Sequence, residues 1–130
     1  MPLSVQTVQA LYADFAQGNL SKILAVLNEH TSIHVPGSLP YGGVYKGRDG
    51  FIALMTAANA TWDTLRMIPG TAVGSDEEVV MTGVFTGKAP AAAEGIRLPF
   101  LHLWKMPAGV ITEIWLYSWD TAALLAHLEG

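Results

Sequence analysis

Three side chains of this sequence could take part in proton transfer: His34, His102 and Asp120. An imidazole changes charge near neutral pH, so a histidine held in a pocket can act as a general acid or base. His34 comes two residues before Pro36 in a strand-like run, and His102 stands between two leucines. If both imidazoles point inward, they form the best acid–base pair that the chain offers.

Each of these groups also has a structural alternative. Either histidine could be a core residue that bonds only to backbone. Asp120 among aromatic residues could act as a base, or it could cap the following helix, because Asp before Thr-Ala-Ala-Leu-Leu is a helix start signal. We expect the cap for Asp120. No close ligand spacing such as His-x-His is present, so neither a metal nor another cofactor is expected.

Helical segments come early in the chain, with one more at the end. Apolar residues at helical spacing predict a first helix with Ser4 as its N-cap and Gly18 as its stop. A short second helix is expected around Ile23, a third over 48–60 and a last one over 121–128.

Strands dominate the second half of the chain. The pattern predicts a short strand over 31–36, then a glycine-rich loop that could rim a pocket, and later four long strands over 62–73, 77–87, 96–106 and 110–119. Helices first and antiparallel strands afterwards are typical of an α+β fold with the helices on one face of the sheet.

Single polar groups stand among apolar residues on both faces of the last two strands. This pattern indicates a curved sheet with a cavity on one side and a second layer on the other. We therefore expect a pocket for a small apolar molecule and, since 51% of the residues are hydrophobic and 14% charged, a homodimer through the outer sheet face. The expected ligand-binding residues are Tyr12, Phe15, Tyr45, Met55, Trp62, Phe100, Trp115, Leu116, Tyr117 and Trp119.

Composition excludes several classes of protein. A net charge of −4 with seven scattered Lys and Arg residues makes nucleic acid an unsuitable partner. Without cysteine there is no disulfide, thiolate nucleophile or zinc–cysteine site. No apolar run approaches the ~18 residues of a membrane span, and the first residues do not form a signal peptide. One domain over 1–130, in a cytoplasmic protein, is the expectation.

Five motifs in order carry a family resemblance: Ile33-His-Val-Pro-Gly37, Tyr45-Lys-Gly-Arg-Asp-Gly50, Gly83-Val-Phe-Thr-Gly87, Ala108-Gly-Val-Ile111 and the segment from Trp119 to Leu128. The series resembles the SnoaL-like branch of the nuclear-transport-factor-two-like superfamily, which includes ketosteroid isomerase, limonene epoxide hydrolase and polyketide cyclases. The resemblance implies a conical, cystatin-like α+β fold, with helices against a strongly curved mixed sheet, a deep pocket between them and dimerisation through the sheet.

The sequence departs from the catalytic patterns of these relatives. Where the cyclases carry a catalytic Asp in the last strand, this chain has Leu116. The Arg and two Asp of the epoxide hydrolases are replaced by Met81 or Thr82, Gly83 and again Leu116. Tyr12 could match the tyrosine of ketosteroid isomerase, but the two inward carboxyls of that enzyme are missing from this sequence.

The segment from Gly109 to Asp120 also looks one residue longer than in these relatives. A β-bulge there would reverse which of Trp115, Tyr117 and Trp119 face the pocket. The sequence leaves this register open.

Two hypotheses of function follow. One is a cofactor-independent isomerase, cyclase or hydrolase that acts on a small apolar ring-type substrate by proton transfer, with His34 and His102 as acid and base. The other is a non-catalytic binding protein for a small hydrophobic ligand. The missing carboxylates favour the binder, but the two histidines lead us to prefer the enzyme. An enzyme must bring two titratable groups within reach of one ligand atom, whereas a binder need not.

Overall fold

Four helices pack against a sheet of six strands, and the computed structural model describes all 130 residues. The helices are α1 (Leu3–Ala16), α2 (Ser21–Val26), α3 (Gly47–Thr61) and α4 (Thr121–Glu129). The strands are β1 (Ser32–Val35), β2 (Gly43–Lys46), β3 (Thr64–Gly74), β4 (Glu78–Lys88), β5 (Ile96–Lys105) and β6 (Glu113–Ser118). The predicted α+β class is confirmed.

The sheet runs in the order β2-β1-β6-β5-β4-β3. All neighbouring strands are antiparallel except β1 and β6, which run parallel from the pair Ser32 and Glu113 to the pair His34 and Trp115. The register of β3 against β4 shifts between Pro69 and Ala72. Such an irregularity bends a strand and increases its twist, which helps the sheet to curve.

Strand alternation gives the sheet an inner and an outer face. On β5 the inner side chains Phe100, His102 and Trp104 are buried, whereas the outer Leu101 is 49% exposed. α1 covers the inner face with side chains at helical spacing, from Val5 through Tyr12. The inner face and the helices share one hydrophobic cluster of 23 buried residues.

Two local predictions are wrong. Ser4 is not the N-cap, because α1 begins at Leu3 and the Ser4 hydroxyl donates to the carbonyl of Asp76 at 2.6 Å. The predicted glycine-rich loop contains β2, which pairs with β1 at the sheet edge. Gly18 does follow the end of α1, with φ +77, a conformation that glycine adopts without strain.

The open register of β6 is resolved by its pairing with β5. The two strands pair without a shift from Lys105 and Glu113 to Phe100 and Ser118. Leu116 therefore lies opposite His102 on the inner face. None of the four helices has the length and apolarity that a membrane span needs.

The outer sheet face carries an apolar patch on its central strands and has no covering layer within the chain. By alternation it carries Val80, Val84, Leu101, Leu103 and Trp115. We propose that a second copy of the chain covers this face, as expected from the sequence, because large contiguous apolar patches on soluble proteins mark interaction surfaces.

Leu101→Glu should therefore shift the protein to a monomer in sedimentation equilibrium at micromolar concentration, because a charge would be buried at the interface. Ile52→Glu is the matched control, since Ile52 is 50% exposed on α3, away from the sheet, and Leu101 is 49% exposed. A wild-type chain that is already monomeric would refute the homodimer.

Candidate functional site

A cavity of about 380 Å³ lies between the helices and the inner face of the sheet. This lies within the range of small-molecule sites, which start at roughly 300 Å³. Thirty residues line the cavity and 23 of them are hydrophobic. Its polar lining consists of three tyrosines with Asn59, Arg66, His102 and Ser118, and no carboxylate is among the lining residues.

A buried hydrogen-bond chain joins α1 to β5 at the wall of this cavity. The indole Nε1 of Trp104 donates to the hydroxyl of Tyr12 at 3.0 Å. The same hydroxyl lies 2.5 Å from Nδ1 of His102. The chain therefore connects three buried side chains whose polar atoms would otherwise be unpaired in an apolar environment.

The hydrogen-bond chain from Trp104 through Tyr12 selects one tautomer of His102. An indole nitrogen can only donate, so the Tyr12 oxygen accepts from Trp104 and its own proton needs an acceptor. Nδ1 of His102 is the acceptor within reach. The ring proton then lies on Nε2, which makes no hydrogen bond to the protein, and His102 presents one N–H donor toward the cavity it lines.

Burial keeps both groups of this pair uncharged. Desolvation lowers the pKa of His102 to about 3, because the imidazolium would lose its hydration. Desolvation also raises the pKa of Tyr12 above its usual range, although the hydrogen bond from Trp104 opposes this shift. At neutral pH the pair is a neutral donor site, and its imidazole is a weak base.

Hydrocarbon surrounds the His102 ring on the remaining sides. The Phe100 ring stacks on it with a centroid distance of 4.2 Å and an interplanar angle of 28°. Leu116 lies across from it on β6. The titratable side chain in contact with this ring is Tyr12, its hydrogen-bond partner, and no carboxylate or second imidazole lines the cavity.

The expectation that His34 points into the pocket is wrong. Its neighbours Ile33 and Val35 line the cavity, so alternation places His34 on the outer face. There the imidazole stacks on Trp115, with 3.7 Å between the centroids and 4° between the planes. His34 and His102 therefore lie on opposite faces of the sheet and cannot act as an acid–base pair on one substrate.

The surroundings of His34 contain the residue types of a hydrolase triad but not its geometry. Nε2 of His34 lies 2.9 Å from the Ser32 hydroxyl and 3.9 Å from Oε1 of Glu113. A triad needs the carboxylate on the other ring nitrogen, so that the imidazole can pass a proton between its partners. Here both groups approach the same nitrogen, so Ser32 is not activated as a nucleophile.

Asp120 is the N-cap of α4, the alternative that the sequence favoured. Its carboxylate accepts from the amide of Ala123 at 3.0 Å, and the residue is exposed. It does not line the cavity. A role for Asp120 as a base in the pocket has no geometric support.

The predicted ligand-binding residues divide into two groups. Those that line the cavity are Tyr12, Phe15, Met55, Phe100 and Leu116, with Tyr117 at its edge. Tyr117 pairs with Leu101 and stacks on Trp115, so it belongs to the outer side of β6 and is half-exposed. Those that do not line the cavity are Tyr45, Trp62, Trp115 and Trp119. Tyr45 and Trp62 instead support the rim: the Tyr45 hydroxyl donates to the carbonyl of Tyr41, and the Trp62 indole donates to the hydroxyl of Tyr41. Trp115 stacks on His34, and Trp119 is 78% exposed.

Sequence reasoning missed Trp104 as a functional residue. It lines the cavity and fixes the Tyr12 hydroxyl. Its position two residues after His102, on the same face of a strand, was the available signal.

Comparison with known families agrees with this architecture. Residues 8–114 match the model of the SnoaL-like domain family. The chain belongs to this family. It is thereby a member of the nuclear-transport-factor-two-like superfamily, as the order of its motifs indicated.

Solved structures share the fold of this SnoaL-like protein. A nuclear-transport-factor-two-like protein of unknown function from Burkholderia pseudomallei is 26% identical, with 100% of both chains covered and a TM-score of 0.87. TerC, co-crystallised with polyporic acid, is 21% identical over 98% of both chains with a TM-score of 0.85. IdmH from Streptomyces antibioticus, a proposed polyketide cyclase, is 21% identical over 98% of this chain and 99% of its own, with a TM-score of 0.75. No curated protein matches this chain.

Tyr12→Phe should destabilise this SnoaL-like domain by on the order of 2–4 kcal/mol, because it leaves buried polar atoms of Trp104 and His102 without partners. Urea denaturation measures the change. Tyr117→Phe is the control, since Tyr117 is 49% exposed and its hydroxyl makes no hydrogen bond within the chain. Equal effects of the two variants would show that the buried hydrogen-bond chain contributes nothing to the free energy of unfolding.

His102 should also make stability depend on pH. Its folded-state pKa of about 3 lies below the ordinary value of 6.5. As the pH falls below about 6.5 the unfolded chain binds a proton that the folded chain does not. Stability is therefore full above this pH and decreases toward pH ~3, by up to about 1.4 kcal/mol per pH unit.

The matched variant is His102→Asn, whose amide oxygen can accept from Tyr12 without titrating. In urea denaturation between about pH 7 and pH 4.5, the wild type should lose more stability than the variant. Parallel losses in both proteins would contradict a buried neutral His102.

Proposed function

We propose that this protein binds a small, largely apolar, ring-type molecule in the cavity and does not transform it by proton transfer. The observation that carries this proposal is the lining of the cavity: 23 of 30 residues are hydrophobic, and none is a carboxylate. The one imidazole present is held neutral and engaged by Tyr12. The geometry thus supplies a binding surface without a general base matched to neutral pH.

The ligand is expected to carry at least one acceptor oxygen. Nε2–H of His102 makes no hydrogen bond within the chain, and the residue lines the cavity, so this donor is available to a ligand. A carbonyl or hydroxyl oxygen on an otherwise apolar ring would satisfy it while the rest of the ligand displaces water from hydrocarbon. Polyporic acid, the molecule co-crystallised with TerC, is consistent with a ring-shaped ligand in this fold.

Enzymatic activity is the second candidate function, because Nε2–H of His102 could also act on a bound substrate. A neutral imidazole that is held in place can polarise a carbonyl, as an oxyanion donor does. Removal of a proton from carbon also needs a base, and neither His34 nor Asp120 reaches the cavity. The isomerase, cyclase or hydrolase hypothesis of the sequence therefore lacks the second imidazole or carboxylate that would act as its general base.

One probe separates the two hypotheses. 2-Tetralone is a small ring ketone whose carbon-bound protons exchange with solvent when a base assists. In deuterated buffer we expect saturable binding by NMR line broadening, without exchange above the rate in buffer alone. Exchange that is accelerated by the wild type and abolished in His102→Asn would overturn the non-catalytic function.

Binding at this cavity is tested with a steric variant. Leu116→Trp adds bulk on the inner face beside His102 and should weaken binding of 2-tetralone at least tenfold, by excluding about 1.4 kcal/mol or more of contact free energy. Ile52→Trp places the same side chain on the exposed side of α3, outside the cavity lining and away from the sheet, and should leave binding unchanged. Binding that Ile52→Trp disrupts and Leu116→Trp does not would place the site outside this cavity.

A further inference from the structure

α4 covers the cavity with a single buried side chain. Leu124 is 4% exposed and lines the cavity, and it is the only buried residue of the helix. Ser118, just before the helix, lines the cavity as well. Movement of α4 away from the sheet would thus withdraw part of the pocket wall and open a route to the interior.

Hydrogen bonds attach α4 to the rest of the fold at two points. Before the helix, the amide of Trp119 donates to the carbonyl of Pro99 at 3.1 Å. Near its end, Nε2 of His127 accepts from the amide of Ala89 at 3.2 Å. The remaining hydrogen bonds of the helix stay within residues 118–130. The attachment at Trp119 could serve as a hinge for α4, and the attachment at His127 could serve as a latch.

The latch depends on the protonation state of His127. To accept an amide proton, Nε2 must carry a lone pair, so the ring is neutral with its proton on Nδ1. A second proton would place a hydrogen on Nε2 against the amide hydrogen of Ala89. Ala89 is 0% exposed, so its amide would lose its only partner in a place that water does not reach.

Loss of the hydrogen bond from the Ala89 amide is the main effect of protonating His127, as the surrounding groups indicate. Trp62 stacks on the imidazole at a centroid distance of 5.7 Å and could hold it in either charge state. On the Ala89 side, Nζ of Lys88 donates to the Ala89 carbonyl and pairs with Asp63 at 3.8 Å. Glu94 borders the same surface hollow as His127 and offers an imidazolium a carboxylate outside the latch. Glu129 is the one other charged group on α4, and it is exposed.

We infer that α4 is a hinged lid over the cavity, latched by neutral His127 and released when His127 is protonated. Ligand exchange is then faster in mildly acidic solution than in mildly alkaline solution. This inference concerns regulation of the same cavity and rests on the proposed binding function only for its ligand; the lid itself can be observed without one.

Amide hydrogen exchange of the full-length wild type tests the lid directly. As the pH is lowered from about 8 to about 5.5, the protection factors of residues 121–129 should fall roughly fivefold, as expected for loss of one buried hydrogen bond. Protection of β5 reports the loss of global stability through His102 and should fall equally in the wild type and in His127→Gln over the same range. Unchanged protection of α4 would overturn the inference.

Two variants separate the latch from general acid destabilisation. His127→Gln places an amide oxygen near the position of Nε2, so α4 should stay protected at both pH values. His127→Ala has no acceptor, so α4 should be weakly protected at both. A wild-type pH response that persists in His127→Gln would show that another group is responsible.

Release of bound 2-tetralone gives the functional consequence. Its off-rate, measured by NMR line shape, should rise roughly fivefold in acid for the wild type and not for His127→Gln. If 2-tetralone does not bind but α4 responds to pH through His127, the proposed binding of this probe fails and the lid stands. If it binds with a pH-independent off-rate and α4 protection is constant, the lid fails and binding stands.

Discussion

The requirement that buried polar atoms find partners organises this molecule. Trp104, Tyr12 and His102 satisfy one another across the gap between the first helix and the fifth strand. A helix face covered only with hydrocarbon could slide or settle closer to the sheet. A hydrogen-bond chain of fixed geometry holds the two layers apart at one place, and the cavity occupies the space beside it. Within this hydrogen-bond chain, the polar atoms of the three side chains are paired with one another except for Nε2–H of His102.

The charge state of the pocket follows from its depth. A site enclosed by hydrocarbon makes an ionised imidazole costly, so His102 remains a neutral donor. The resemblance implies carboxylates on the inner face of relatives that perform acid–base chemistry. At the matching positions, the inner face of this protein carries Leu116 and Gly83. The fold is shared while the chemistry differs, because function depends on a few inward side chains and not on the scaffold.

Most of the fold was predictable, and the largest error concerned which face of a strand one residue occupies. Periodicity located the helices and the long strands because these elements bury one side along their whole length. On β5, strand alternation puts Phe100 and Trp104 on the same face as His102, and all three are buried in the structure. The four residues of β1 gave the same kind of signal, with Ile33 and Val35 apolar and His34 between them, but the hypothesis of an acid–base pair with His102 outweighed it.

Other features could not be read from local sequence. β2 is four residues long and rich in neighbouring glycine, so its strand character comes from pairing with β1 and not from its own preference. Ser4 has the composition of a cap, yet its hydroxyl binds a carbonyl 72 residues away. The contacts of His127 with Ala89 and Trp62 are likewise long-range, and only the assembled fold brings them together.

The parallel pairing of β1 with β6 has a consequence for the order of assembly. These strands are separated by about 80 residues, as the contact between Ser32 and Thr112 shows. During synthesis β1 emerges long before its central partner, and until then it has only the short β2 beside it. Closing so long a loop costs conformational entropy that nearby contacts cannot repay in advance. The wall of the cavity formed by Ile33, Ile114 and Leu116 is therefore completed only after β6 has been made, and before that stage a nascent chain exposes the apolar surface that the finished protein encloses.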